Sequence, residues 1–130
     1  MLVLDANVVV AEASTTAPFV TFGEEELVAP PLMWSEARSS LREAVWRGEV
    51  PPDEALVTLD FVERGRVRRR DHRRLGREAW RIAEELGWAK TYDAEYLALA
   101  SLLGARFVTL DARLRRGANQ LGFVVSPAEL

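Results

Sequence analysis

The chain of 130 residues has no cysteine, a single histidine and a single lysine. Without cysteine there can be no disulfide, no thiolate zinc site and no cysteine nucleophile. The lone His72 also excludes any site built on two imidazoles. A metal bound here must take oxygen ligands, which selects magnesium or manganese. Long apolar runs are missing as well. The longest are a few residues, too short to span a bilayer, and the N-terminus lacks the basic flank and apolar stretch of a signal peptide. The expectation is a cytoplasmic protein without membrane contact, folded as one domain over residues 1–130. That length buries a core without disulfides or a structural metal.

What is present is ordinary in amount and uneven in placement. Hydrophobic residues make up 48% and charged residues 28%, with a net charge of −3. Of 16 arginines, nine lie between Arg64 and Arg81, while acidic residues dominate elsewhere. An acidic chain with one concentrated arginine segment can meet a polyanion on one face only.

Apolar patterning predicts strands at 2–4, 27–29, 66–68, 106–110 and 122–125. Helical patterns lie between them, at 7–13, 16–22, 31–47, 52–64, 72–86, 93–103 and 112–117. Pro30-Pro31 and Pro51-Pro52 suit helix starts; Gly48, Gly87 and Gly104 suit helix ends. Strands alternating with helices predict an α/β fold with a parallel sheet covered on both faces.

Two of these strands, "MLVLDAN" and "FVTLDARL", run straight into an aspartate, Asp5 and Asp111. Either one alone is an ordinary helix N-cap, as is Asp93. On the helix from Pro31, Met33, Ala37, Leu41, Ala44 and Val45 mark the buried face, and Glu36 projects along its edge. On the helix at 93–103, Tyr96, Leu97, Ala100 and Leu103 form the buried stripe. Asp93 continues that stripe into the first turn, where the helix dipole favours an ionised carboxylate, and Glu95 falls off it toward solvent. Ligands of doubly wound sheets bind beyond the carboxyl ends of the strands, where strand order reverses. If the first and fourth strands are neighbours there, all four carboxylates reach one pocket. Like charges about 4 Å apart cost on the order of 4 kcal/mol at an effective dielectric near 20. Such a cluster needs shared protons or a cation, and a hard divalent ion is the natural one.

The pieces "LDANVVV", "WSEARSSL", "YDAEYLALA" and "FVTLDARL", in this order and over nearly the whole chain, resemble a PIN domain, and more narrowly the VapC-type toxin ribonucleases of toxin–antitoxin pairs. The resemblance implies a three-layer α/β/α sandwich with a parallel sheet in the order 3-2-1-4-5. It implies an acidic quartet of Asp5, Glu36, Asp93 and Asp111 that is both catalytic and metal-binding, supported by Asn7 and Thr109. It further implies hydrolysis of RNA phosphodiesters with Mg2+ or Mn2+, a homodimer, and a small antitoxin partner that occludes the acidic pocket. Arg64, Arg66, Arg68, Arg69, Arg70, Arg73 and Arg74 would supply phosphate contacts around an acidic mouth, as would Arg113, Arg115 and Arg116, which follow Asp111 closely. His72 reads as a surface residue, and of the four tryptophans, Trp34, Trp46, Trp80 and Trp88, most read as core or its margin, with one or two at a subunit interface.

Three other readings compete. A receiver-like phosphoacceptor domain wants an acidic pair after its first strand and a lysine after a late one, but Asp5 has no acidic neighbour and Lys90 precedes a helix. A haloacid-type phosphatase wants a second aspartate where Asn7 stands. A non-catalytic nucleic-acid-binding module keeps the arginines and leaves the inward Glu36 without a purpose.

Overall fold

A computed structural model describes residues 1–130. The chain order is β1 (Leu2–Leu4), α1 (Ala6–Ala13), β2 (Leu27–Ala29), α2 (Leu32–Trp46), α3 (Pro52–Arg64), β3 (Arg68–Arg69), α4 (Leu75–Leu86), α5 (Tyr92–Leu103), β4 (Arg106–Val108), α6 (Ala112–Gly117) and β5 (Val124–Val125). Short 3-10 turns lie at Val20–Phe22, Asn119–Leu121 and Pro127–Glu129. The five strands form one parallel sheet in the order β3-β2-β1-β4-β5. From β1 the chain steps outward to β2 and β3, then crosses back to β4 on the other side of β1, so strand order reverses between β1 and β4. Right-handed crossovers put α1, α2 and α3 on one face and α4, α5 and α6 on the other. The packing follows this division: α1, α2 and α3 pack on one another, and α4 packs on α5.

The central strands are apolar throughout because both faces are covered. All three residues of β1 and of β2 are buried. Helix α5 lies against β1 and β4. Its residues Tyr96 to Ala100 are fully buried, and the small Ala94, Ala98 and Ala100 allow close approach to the sheet. Tyr96 stacks on Phe107 of β4 with ring centroids 5.4 Å apart.

The helix expected at 16–22 does not form. Pro18 lies within it, and Phe19 takes a left-handed backbone with φ of 63°, so only the turn Val20–Phe22 closes. Phe19 and Phe22 are buried, and their burial offsets the strain at Phe19. The weak strand expected at 66–68 forms two residues later, at Arg68–Arg69. Arg66 is instead held by the Phe19 and Glu25 carbonyls, which accept from its guanidinium at 3.0 and 2.6 Å. The strand expected at 106–110 ends at Val108, and that expected at 122–125 shrinks to Val124–Val125. Helix α4 begins at Leu75, three residues later than expected. The Asp71 carboxylate accepts from the His72 backbone N–H, and His72 Nδ1 accepts from that of Arg74, making a turn ahead of the helix. His72 is thus a half-buried turn residue.

Candidate active site

The sheet register sets the site. Leu4 pairs with Val108, so the next residues, Asp5 and Thr109, emerge side by side where strand order reverses. The Asp5 carboxylate makes no capping bond to α1, although it stands at that helix's N-cap. It accepts instead from the Thr109 hydroxyl at 2.6 Å. Thr109 is buried and its oxygen accepts in turn from the Asp111 backbone N–H at 3.0 Å and from the Asn7 amide at 3.5 Å. Asn7 closes the arrangement by accepting from the Leu110 N–H at 3.2 Å. Asn7 and Thr109 therefore tie the ends of the first and fourth strands together across about a hundred residues of sequence.

Asp111 does act as a cap. Its Oδ1 accepts from the backbone N–H groups of Arg113 and Leu114 at 2.9 and 3.1 Å, which leaves Oδ2 uncommitted. Glu36 lies one turn into α2 and is half-buried, and its Oε1 accepts from the Tyr96 hydroxyl at 2.5 Å. Asp93, in the first turn of α5, lines a cleft of about 690 Å³ with Glu36, Asp111, Trp88, Lys90 and Arg113. It faces that cleft as expected but is open to solvent within it.

These carboxylates feel one another. Burial raises the Asp5 carboxyl to about 6 against the opposing Thr109 bond, and the charges of Glu36 and Asp93 add to the rise. Burial raises Glu36 as well, with Tyr96 opposing and Asp93 adding. Burial and then the Asp111 charge raise Asp93. None of the structure's ion pairs reaches Asp5, Glu36, Asp93 or Asp111, although most of them join neighbouring exposed side chains. A buried or crowded carboxylate without a cationic partner is held protonated or waits for a cation.

Glu95 corrects the sequence expectation. It is half-buried, not exposed, and its carboxyl is raised by burial and by the charges of Glu36 and Asp71, so it borders the same cluster. Tyr96 is the main functional candidate the sequence did not reveal. Its place on the buried stripe of α5 was visible, but its bond to Glu36, sixty residues away, depends on how α2 meets α5. Of the tryptophans, Trp34 is buried and Trp88 half-buried, while Trp46 and Trp80 stand out in solvent.

The arginines divide by occupation. Arg64 pairs with Asp60, Arg70 with Glu26 at 4.0 Å, and Arg115 with Glu129 at 2.5 Å. Arg69 lies over the Trp34 ring at 4.6 Å, and Arg66 serves the backbone. The side chains of Arg68, Arg73, Arg74, Arg113 and Arg116 make no hydrogen bond or ion pair, and only Arg113 lines the acidic cleft.

The PIN domain family profile matches residues 2–120. The chain belongs to the PIN domain family. PIN domains are generally nucleases, often found as toxins of toxin–antitoxin pairs, and they typically use divalent metal ions. The PIN domain of this chain is similar in structure to PAE2754 from Pyrobaculum aerophilum, with a TM-score of 0.77 and 25% identity over 98% of this chain and 91% of that one. It also resembles a chain in the structure of FitAB bound to an IR36 DNA fragment, with a TM-score of 0.66 and 18% identity over 100% of this chain and 97% of that one. Comparison with curated proteins finds no significant sequence match.

The donor set suits a hard divalent ion: it is made of carboxylates alone, none has a cationic partner, and Asp5, Glu36 and Asp93 are raised by burial and by the neighbouring charges. No three of them stand close enough together to hold an ion directly among them. A hydrated magnesium or manganese ion, which keeps several of its own waters and takes one or two carboxylates, fits such a spaced set.

Proposed function

We propose that this PIN domain, spanning residues 1–130, is a cytoplasmic magnesium- or manganese-dependent endoribonuclease and the toxin of a toxin–antitoxin pair. What supports the reading is a chain of unneutralised carboxylates near the switch point: the charges of Glu36 and Asp93 raise Asp5, that of Asp93 raises Glu36 and that of Asp111 raises Asp93, with no cationic side chain paired to any of the four. When bound, the divalent ion supplies a water of lowered pKa and offsets charge on the phosphate. Asp5, Asp93 and Asp111 are the residues assigned to face it, one or two of them directly and the rest through its waters. Glu36, braced by Tyr96, holds or orients the attacking water and is placed to take its proton. Thr109 keeps Asp5 in one rotamer, and Asn7 joins Thr109 to the loop that carries Asp111. Lys90 and Arg113 line the same cleft and are positioned to meet phosphate oxygens.

The partner assignments draw on different support. One structural relative was solved as FitAB bound to a DNA fragment, which favours an antitoxin partner here. Exposed apolar residues on α2 and α3, namely Trp46, Leu56, Val57 and Phe61, give a homodimer or an antitoxin a surface to cover. No helix is long and apolar enough to cross a membrane.

The test is RNA cleavage with magnesium or manganese, comparing the intact chain with Asp5→Asn and Asp93→Asn. Cleavage that persists undiminished in both variants, or in excess chelator, rejects the mechanism.

A further inference from the structure

Helix α4 presents two different faces. Leu75, Ala79, Ile82 and Ala83 are buried, and α4 packs on α5. The other face carries Arg73 just ahead of the helix, then Gly76, Arg77, Trp80 and Arg81, at the three- and four-residue spacings that align side chains along a helix. Together with Arg74 and Glu78 these residues line an open hollow of about 880 Å³. Trp80 is 68% exposed there. Arg81 is neutralised by Glu78 and Glu85, at 2.5 and 3.0 Å. Arg73, Arg74 and Arg77 have no side-chain hydrogen bond or ion pair, so the hollow keeps an uncompensated positive charge beside a bare indole. Gly76 lies between Arg73 and Trp80, and a Cβ added to it would meet no atom within 4 Å, so the floor between them is clear.

We propose that this face of α4 is a binding surface for single-stranded nucleic acid, with Trp80 as a stacking platform and Arg73, Arg74 and Arg77 as phosphate contacts. The proposal rests on the ribonuclease reading for the identity of the strand and adds a second point of attachment outside the acidic cleft. Charge selects a polyanion, because the chain as a whole is acidic and this hollow is not. The exposed ring selects a single strand, since a duplex offers phosphates to arginine but keeps its bases stacked away from tryptophan. A second copy of the chain is the poorer occupant: a two-fold contact through this face would set arginines against arginines. Trp46 provides the contrast. It is 80% exposed, but its hollow carries one arginine and one glutamate, Arg42 and Glu43, and so no net field.

The position of α4 gives the surface its use. β3 runs parallel to β2, so its carboxyl end and the turn with Arg73 and Arg74 lie at the same sheet edge as the acidic mouth. Asp71 is near enough to raise the Glu95 carboxyl beside Glu36. At its other end α4 passes through Gly87, Trp88 and Lys90, which line the cleft itself. A strand lying along α4 is therefore delivered to the carboxylates at either end.

Binding of a labelled mixed-sequence single-stranded RNA of a dozen nucleotides, in chelator so that nothing is cleaved, tests the surface on the full chain. Trp80→Ala is expected to weaken binding by about 5- to 150-fold. Arg73→Ala, Arg74→Ala and Arg77→Ala together are expected to lower the slope of log affinity against log salt by about 2. Gly76→Glu, which fills the floor without touching the core, is expected to weaken binding too. A duplex of equal length should bind independently of Trp80. Unchanged affinity in Trp80→Ala and Gly76→Glu overturns the proposal. So does loss of an oligomer in Trp80→Ala with affinity intact, which would make the face a contact between copies. Because cleavage plays no part, absence of metal-dependent nuclease activity sinks the catalytic reading and leaves this result standing.

Discussion

Replacing Asp5 with asparagine should stabilise the metal-free protein while abolishing its chemistry. Asp5 is 8% exposed, and burial lifts its carboxyl from 3.8 to about 6. A group whose folded pKa lies above its unfolded value binds more protons when folded, so its ionised form opposes folding. That opposition is complete above pH 6, fades as pH falls toward 4 and is absent below the unfolded value. Two pKa units correspond to about 3 kcal/mol. Asparagine mimics the protonated side chain in shape and neutrality but must place a second N–H, so a gain of about 1.5–3 kcal/mol is expected at pH 7.5. With an unfolding entropy near 2.1 cal/mol/K per residue, this is roughly 5–10 °C in Tm for a chain of this size. The assay is thermal unfolding of both proteins in chelator across pH 4 to 8, read as the difference between them. Taking the difference cancels Glu25, Glu78 and Glu129, whose lowered carboxyls act in the opposite sense, losing stability as pH falls. Magnesium should raise the Tm of the native protein at pH 7.5 and raise that of Asp5→Asn much less. An Asp5→Asn protein no more stable than the native one at pH 7.5, or an advantage that does not shrink toward pH 4, would refute the account of an uncompensated buried charge.

Thr109→Val removes the donor to Asp5 and the acceptor for Asn7 and the Asp111 N–H, and should cost about 1–3 kcal/mol by denaturant unfolding. Cleavage should fall with it. Tyr96→Phe keeps the ring on Phe107 and removes the hydroxyl's bond to Glu36 along with its contact to the Ala6 backbone, so the expected loss is about tenfold in kcat, with Tm lowered by a few degrees at most. A rise in KM alone, at unchanged kcat, counts against Glu36 as the water-orienting group. Arg66→Ala frees the carbonyls of Phe19 and Glu25 and should cost about 1–2 kcal/mol in unfolding experiments, while the salt dependence of RNA binding stays as it was.

The parallel sheet, the positions of β1, β2 and α3, and the glycine ends of α4 and α5 were legible because each rests on local chemistry: apolar runs, paired prolines, and glycines with positive φ after Leu86 and Leu103. The four carboxylates were legible as individually suspicious residues, since strand ends and helix faces can be read from spacing. Where the reading fell short, a distant contact decided. Asp5 looked like a helix cap by position, yet its carboxylate turns to Thr109, a choice made by the β1–β4 register. Glu95 lies off the stripe of α5 yet is half-buried and feels the charges of Glu36 on α2 and of Asp71 in the turn after β3, a neighbourhood that spacing along α5 does not reveal. The run of arginines looked uniform, and only the folded chain separates Arg66, fixed to backbone carbonyls, from Arg73, whose side chain makes no hydrogen bond or ion pair.

That separation bears on how an acidic cleft can work on a polyanion at all. A carboxylate cluster repels phosphate, and the repulsion is least screened where the groups are most buried. Placing compensating arginines inside the cleft would neutralise the carboxylates by pairing and remove their demand for a metal ion. The fold avoids this by keeping all but one of the free arginines outside the cleft and leaving that one, Arg113, unpaired with the carboxylates. Within the cleft only Lys90 and Arg113 are cationic, and neither is paired with Asp5, Glu36, Asp93 or Asp111. The uncommitted Arg73, Arg74 and Arg77 lie along α4, whose two ends reach the rim. Attraction at the rim and unmet negative charge within are then separate properties. Substituting the rim should change affinity and its dependence on salt, whereas substituting Asp5 or Asp93 should change turnover and its dependence on metal, with little crossing between the two.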